Sequence, residues 1–272
     1  MKKSIAVLLL CAGTLFAQNG TERVNVPLSD PSRPAHIEAH LMFGGITVRG
    51  GNTREVVVET RPKPDGESHE PLPPKAEGMH RLDLGANAGL DIVEQNNVVS
   101  IRTTSWARHA DLLITVPQRS SMQLKTMTDG GIYVEQVDGE IDADSLNGNV
   151  TLKHVSGSVL AHALHGAILV TLDQVDPSKP MSFSTLNGDI DVTFPDNVRA
   201  NLRLKTDNGE IYSDFDVKLE AGSHTLTSDS TQQQNGRYHL RVDRTLRGTV
   251  NGGGPEYQFT SFNGQIFIRR KK

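Results

Sequence analysis

From about residue 35 onward, small aliphatic and polar residues alternate in short bursts, each opened by a glycine. Gly130 is followed by Ile132 and Val134, Gly139 by Ile141 and Ala143, Gly148 by Val150 and Leu152, Gly157 by Val159 and Ala161, and Gly166 by Ile168 and Val170. These glycines stand nine residues apart. The phrase restarts at Gly188 (Ile190, Val192), Gly209 (Ile211) and Gly264 (Ile266, Ile268), and it stands far upstream at Gly44 (Ile46, Val48). Alternation with a period of two marks a strand with one buried face, and its return at a fixed step marks a repeat architecture. No 3.6-residue helical period runs through this part of the chain. The pattern predicts an all-β protein.

Two all-β architectures place a turn at every ninth residue: an antiparallel meander with tight hairpins, and a β-solenoid whose strands stack in parallel. The turn dipeptides are Asp129-Gly130, Asn147-Gly148, His165-Gly166, Asn187-Gly188, Asn208-Gly209 and Asn263-Gly264. Asn tolerates and Gly prefers positive φ, so composition alone does not choose. The flanks do. In two-residue hairpins Leu146 would face Asn149, Leu186 would face Asp189, Phe262 would face Gln265, and Asp207 would face Glu210. Such apolar–polar and like-charge pairs disfavour the hairpin. A solenoid corner imposes no such pairing and is expected to turn Leu146, Leu186 and Phe262 inward.

Two nine-residue segments then make one coil of 18 residues, stretched toward 22 where the glycine step lengthens, as from Gly166 to Gly188. Equivalent residues would stack about 4.8 Å apart. The expected core columns contain Ile132, Val150 and Ile168 on one wall and Ile141 and Val159 on the other. Val134, Leu152, Val170, Ile190, Val192, Ile211, Ile266 and Ile268 extend them. Outside, Glu135 is expected beneath Lys153 as an exposed ion pair. The open ends of such a stack need capping. The N-terminal strands are candidates at one end; the polar run near residue 225 and the basic tail "IRRKK" are candidates at the other.

The first 17 residues, "MKKSIAVLLLCAGTLFA", read as a secretory signal: two lysines, an apolar run too short for a stable anchor, and small residues at the cut. The chain's one cysteine, Cys11, leaves with that signal, so a disulfide framework or a thiol nucleophile is excluded in the mature protein. Residues 18–109 form an N-terminal β region with a proline-rich surface excursion at 61–80, and residues 110–272 hold the solenoid repeats and a C-terminal cap. The two regions are also compatible with one continuous domain. A net charge of −4 argues against nucleic acid as a partner. No later apolar run reaches membrane-spanning length.

Candidate chemistry is sparse. His36 and His40, and His162 and His165, lack the convergent third ligand that a metal site needs, so no metal is expected. Asp142 with Asp144, and Asp189 with Asp191, are alternating carboxylates that suit Ca²⁺ or acid–base work on a polysaccharide, but solvated strand faces share the pattern. "VNGGGPE" lacks the lysine and helix of a phosphate loop, and no Gly-x-Ser-x-Gly phrase occurs. No cofactor is expected.

The phrases "LLITVP", "TDGGIYVEQVDGEID", "LNGNVTLKHVSGSV", "STLNGDIDVTFP" and "VNGGGPEYQFTSFNGQIFIRR" resemble the bacterial envelope family known as putative adhesins, a domain-of-unknown-function group of β-solenoid repeats. The resemblance covers the chain from about Ala35 onward. It implies an exported, non-enzymatic protein that presents a polar lateral face to an envelope glycan or protein. The alternatives are a β-helical polysaccharide lyase or hydrolase, and a purely structural envelope protein.

Overall fold

The structure, a computed structural model, describes residues 22–62, 90–103, 110–128, 130–220, 226–228, 240–242 and 245–272. The signal segment, residues 63–80 of the proline-rich excursion, Asp129 and most of the polar run near residue 225 lie outside them. Among the described residues every regular element is a β-strand. Almost all belong to one sheet system, and a separate pair joins Leu226–Ser228 to Leu240–Val242.

Among the described residues eight coils stack, each contributing one strand to a first wall and one to a second. In spatial order the first wall is built by Val98–Thr103, Ala35–Phe43, Ser120–Thr128, Asp138–Asn147, the half-strand 156–165, Met181–Asn187, Glu256–Asn263 and Ala200–Asn208, each parallel to its neighbours. The second wall repeats the order with Ala110–Pro117, Ile46–Gly51, Ile132–Glu135, the half-strand 150–153, Ile168–Val175, Ile190–Phe194, Ile266–Arg270 and Ile211–Ser213. In the middle the register is the 18-residue step: Gly139 pairs with Gly157, and Val150 with both Ile132 and Ile168.

The stack departs from chain order at both ends. The second coil, residues 35–51, lies between residues 98–117 and 120–135. The seventh, residues 256–270, lies between residues 181–194 and 200–213. Gly188 therefore stacks on Gly264 and not on Gly209, and the basic tail belongs to an inner coil instead of capping an end. Antiparallel strands close the stack. Leu90–Gln95 covers Val98–Thr103, Glu55–Pro62 and then Glu22–Pro27 cover Ala110–Pro117, and Leu246–Val250 with Lys218–Leu219 covers Ala200–Asn208.

Between the walls runs one dry core. Ile132, Val150, Ile168, Ile190 and Ile266 lie on successive rungs of the second wall, each at most 1% exposed. Val134, Leu152, Val170, Val192 and Ile268 form a second buried column, and Ile141 and Val159 face them from the first wall. Ile211, on the last rung, is only partly buried. The aromatic residues gather where the sixth and seventh coils meet. Phe183 stacks on Phe259 at 4.9 Å and Phe194 on Tyr257 at 5.4 Å.

The corners between the walls differ from expectation. Leu146, Leu186 and Phe262 point outward, at 37%, 38% and 46% exposure. The inward corner positions belong instead to the preceding hydroxyl residues, Thr126, Ser145, Thr185, Ser261 and Thr206. Their hydroxyls bridge coils: Thr185 donates to the Gly166 carbonyl, Ser261 to that of Gly188 and Thr206 to that of Gly264. A buried carbonyl at a tight corner needs such a donor, so a small hydroxyl residue suits this place better than leucine.

Candidate binding groove

The corner of the second and third coils carries doubled glycines, Gly44-Gly45 and Gly130-Gly131, where the same corner of each later coil has one. They leave a side-chain-free floor. A Cβ on Gly130 would lie 2.2 Å from the Gly44 backbone, and one on Gly131 would lie 2.5 Å from the Asn149 carbonyl. Above that floor opens a groove of about 530 Å³ whose walls include Thr47, Arg49, Asp111, Tyr133, Asn149 and Thr151. Asp111 Oδ1 accepts the Gly45 N–H at 2.8 Å and Asn149 Oδ1 accepts the Ala167 N–H at 2.9 Å, so both walls are fixed to the backbone of neighbouring coils.

Tyr133 is the groove's aromatic surface. Partial burial first, and then the charge of Glu135 and a hydrogen bond with it, raise its phenol above the ordinary value. Lys153 Nζ lies 5.7 Å from the ring centre. Glu135 and Lys153 are register partners, but the Glu135 carboxylate lies 4.0 Å from Arg49 Nε while the ammonium turns to the Tyr133 ring. The expected Glu135–Lys153 ion pair does not form because a parallel rung offers each side chain another partner on the same face.

The outward carboxylates are dispersed. Asp142 and Asp144 lie on the first wall, where Asp142 accepts from Gln123 at 3.1 Å and Asp144 from His162 Nδ1 at 2.9 Å. Asp189 and Asp191 lie at a corner and on the second wall. Asp189 caps the Gln265 N–H at 2.7 Å, and Asp191 takes Arg269 Nε at 2.7 and 2.9 Å. Each of the four thus joins its own coil to a neighbour.

His36 approaches Glu38 at 4.0 Å, His165 Nδ1 lies 2.9 Å from Asn187 Nδ2, and His40 is held below its usual pKa by burial, then by Lys125 and Arg102. No group of three potential metal ligands occurs among the described residues. The "VNGGGPE" stretch is a turn: Asn251, at φ 50°, donates to the Val198 carbonyl at 2.7 Å.

The corner asparagines form a ladder on the outer surface. Asn263 donates to Asn187 at 2.7 Å and Asn208 to Asn263 at 2.8 Å. None of these asparagines has positive φ, and neither do Gly148 and Gly166. Their glycines are required by close backbone stacking: a Cβ on Gly148 would sit 2.4 Å from the Gly130 carbonyl oxygen, and one on Gly166 2.2 Å from that of Gly148. Sequence reasoning missed the groove, whose signal is the doubled glycine followed by Ile-Thr or Ile-Tyr in "GGITV" and "GGIYV".

These features define an all-β, solenoid-like repeat protein with laterally exposed strand faces. The chain belongs to the family described as Toastrack DUF4097, whose model matches residues 109–251. It is also similar in structure to a putative cell adhesion protein from Clostridium sporogenes ATCC 15579, at 11% identity and a TM-score of 0.45 over 92% of this chain and 100% of that one. A putative adhesin from Bacteroides fragilis NCTC 9343 matches at 10% identity and a TM-score of 0.30, over 93% and 98% of the two chains. No curated protein matches the chain. Among the described residues, no helix is long and apolar enough to cross a membrane.

Proposed function

We propose that this protein is an exported, non-enzymatic, adhesin-like β-solenoid of the cell envelope or surface, and that it binds a glycan in the groove beside Tyr133. The observation that carries this reading is the groove itself. One groove is lined by a phenol, a glycine floor and side chains that offer hydroxyl, carboxamide and guanidinium groups. A sugar presents a C–H face that packs on an aromatic ring and hydroxyls that exchange hydrogen bonds with such groups. The non-enzymatic part is supported by the commitment of Asp142, Asp144, Asp189 and Asp191 to inter-coil contacts, since hydrolysis of a glycosidic bond needs two carboxyl groups converging on one bond.

The test is a glycan array probed with the purified chain and with Tyr133→Ala, together with a reducing-sugar release assay on every glycan bound. The expected result is binding that Tyr133→Ala weakens at least tenfold, with no sugar released. Binding unchanged by Tyr133→Ala would remove the groove from the proposal. Sugar release lost in Asp189→Asn or Asp191→Asn would make the protein an enzyme.

A further inference from the structure

The outward column that contains Tyr133 continues along the second wall. Its register runs Tyr133, Thr151, Leu169, Asp191, Phe267 and Tyr212 from the third coil to the eighth. At the far end the Tyr212 and Phe267 rings stack at 5.3 Å and 10°. Their neighbours fix the pair. Arg269 lies 5.1 Å from the Phe267 ring centre while Asp191 holds its Nε, and the Tyr212 hydroxyl donates to Glu210. The core does not need these rings, because Ile266 and Ile268 on the alternate positions fill it, and Tyr212 is 44% exposed. Leu169, 41% exposed, stands between the two aromatic ends. Exposed rings with a few polar groups held in place around them are the make-up of a ligand surface.

We propose that Phe267 and Tyr212 form a second subsite of the surface that begins at the Tyr133 groove, and that the ligand is a linear, uncharged glycan lying along the stack; the inference rests on the glycan reading of that groove. Four rungs separate Tyr133 from Phe267, about 19 Å at the spacing of paired strands. A disaccharide cannot bridge that distance, whereas an extended chain can and gains affinity by engaging both ends at once. Between the ends, hydroxyl groups flank the column: Thr171 pairs in register with Thr193, and Thr193 with Arg269. Two other polymers fit less well. A peptide has no backbone edge to join, since each strand of the second wall from Ile132–Glu135 to Ile266–Arg270 is paired on both sides. A polyanion needs a basic stripe, but the cations here stand beside carboxylates, Arg49 with Glu135 and Arg269 with Asp191.

The experiment is calorimetric titration of the purified chain with chito- and cello-oligosaccharides from disaccharide to octasaccharide, with oligogalacturonates as the charged comparison. The variants are Tyr133→Ala, Tyr212→Ala and Phe267→Leu, each shown to be folded by circular dichroism; Phe267→Leu keeps an apolar side chain on the strand and removes only the ring. For one of the uncharged series, affinity is expected to rise with length until the chain reaches Phe267. Tyr212→Ala and Phe267→Leu should weaken the longest member about tenfold and leave the disaccharide unchanged, whereas Tyr133→Ala should weaken both. Long chains weakened by Tyr133→Ala alone, or a disaccharide bound as tightly as the octasaccharide, would overturn the second subsite and leave the groove reading intact. Binding confined to oligogalacturonates would overturn the uncharged class. Binding lost in Tyr212→Ala but untouched by Tyr133→Ala would overturn the groove and the bridging together, and so would a failure of every oligosaccharide to bind.

Discussion

At the scale of single residues, a corner is defined by three neighbours with different tasks: a buried hydroxyl, a laddered carboxamide and a glycine against which the next coil closes. Gly148→Ala would press a Cβ into the Gly130 carbonyl at 2.4 Å, a rigid backbone contact that cannot yield without separating two coils. We expect a loss of about 2 kcal/mol or more in chemical denaturation. Thr185→Val keeps the shape but leaves the Gly166 carbonyl without its 2.9 Å donor; the expected cost is about 1–2 kcal/mol. Tyr257 presents the opposite case. Its ring is 1% exposed and its hydroxyl has no hydrogen-bond partner among the described residues. Burial, with a smaller push from Asp176, moves its pKa from 10.0 up to about 12. Since the folded value lies above the unfolded one, the associated stability is intact below pH 10 and falls as pH rises toward 12. Tyr257→Phe should therefore stabilise the protein by about 1 kcal/mol at neutral pH and flatten this alkaline decline, both visible in denaturation midpoints measured from pH 8 to 12.

At the scale of elements, coils are tied to one another by outward side chains reaching along the stack. Asp173 on the fifth coil accepts from His154 at 3.3 Å and from Lys271 at 2.8 Å, so the tail of the seventh coil is fastened two coils away. Partial burial raises the Asp173 pKa, but the bonds to Lys271 and His154 outweigh it and the net shift is downward. A lowered carboxyl pKa gives stability that is present above the unfolded value near 3.8 and lost as pH falls through the folded one. Asp173→Asn should thus cost less than about 1 kcal/mol at pH 7, because the partners are partly exposed, and nothing once the pH lies below the folded pKa. How much of the elements was legible follows from their physics. A buried strand face must be apolar at every second residue, so the repeated Ile-x-Val phrases announced both the strands and the 18-residue register. The outward Leu146, Leu186 and Phe262 were misread because an apolar residue beside a turn looks like core, while the signal that contradicted it, the Ser or Thr one residue earlier, carries its meaning only through a hydrogen bond to another coil. The groove was hidden for a related reason: a side-chain-free floor is a property of stacked glycines from remote parts of the chain.

At the scale of the whole molecule, the order of coils matters more than their number. In a solenoid built in chain order, stability is roughly a sum over neighbouring repeats, and removing the last coil costs only that coil. Here, among the described residues, 256–270 are the sole parallel partner of 200–213, whose other neighbours are the antiparallel strands Leu246–Val250 and, through them, Lys218–Leu219. They also supply Tyr257 and Phe259 to the aromatic cluster with Phe183 and Phe194. No periodicity could reveal this, because a coil carries the same alternating pattern whether it sits next to its sequence neighbour or sixty residues away. Ending the chain at residue 255 should therefore release two coils together. In native-state hydrogen exchange, amides of 200–213 should exchange as in an unfolded chain and those of 181–194 should lose most protection, while the middle coils, residues 120–175, stay protected because each keeps both of its neighbours. Protection retained at 200–213 after that truncation would mean that the eighth coil can close directly on the sixth, and that the insertion of the C-terminal coil is not what holds this end of the stack together.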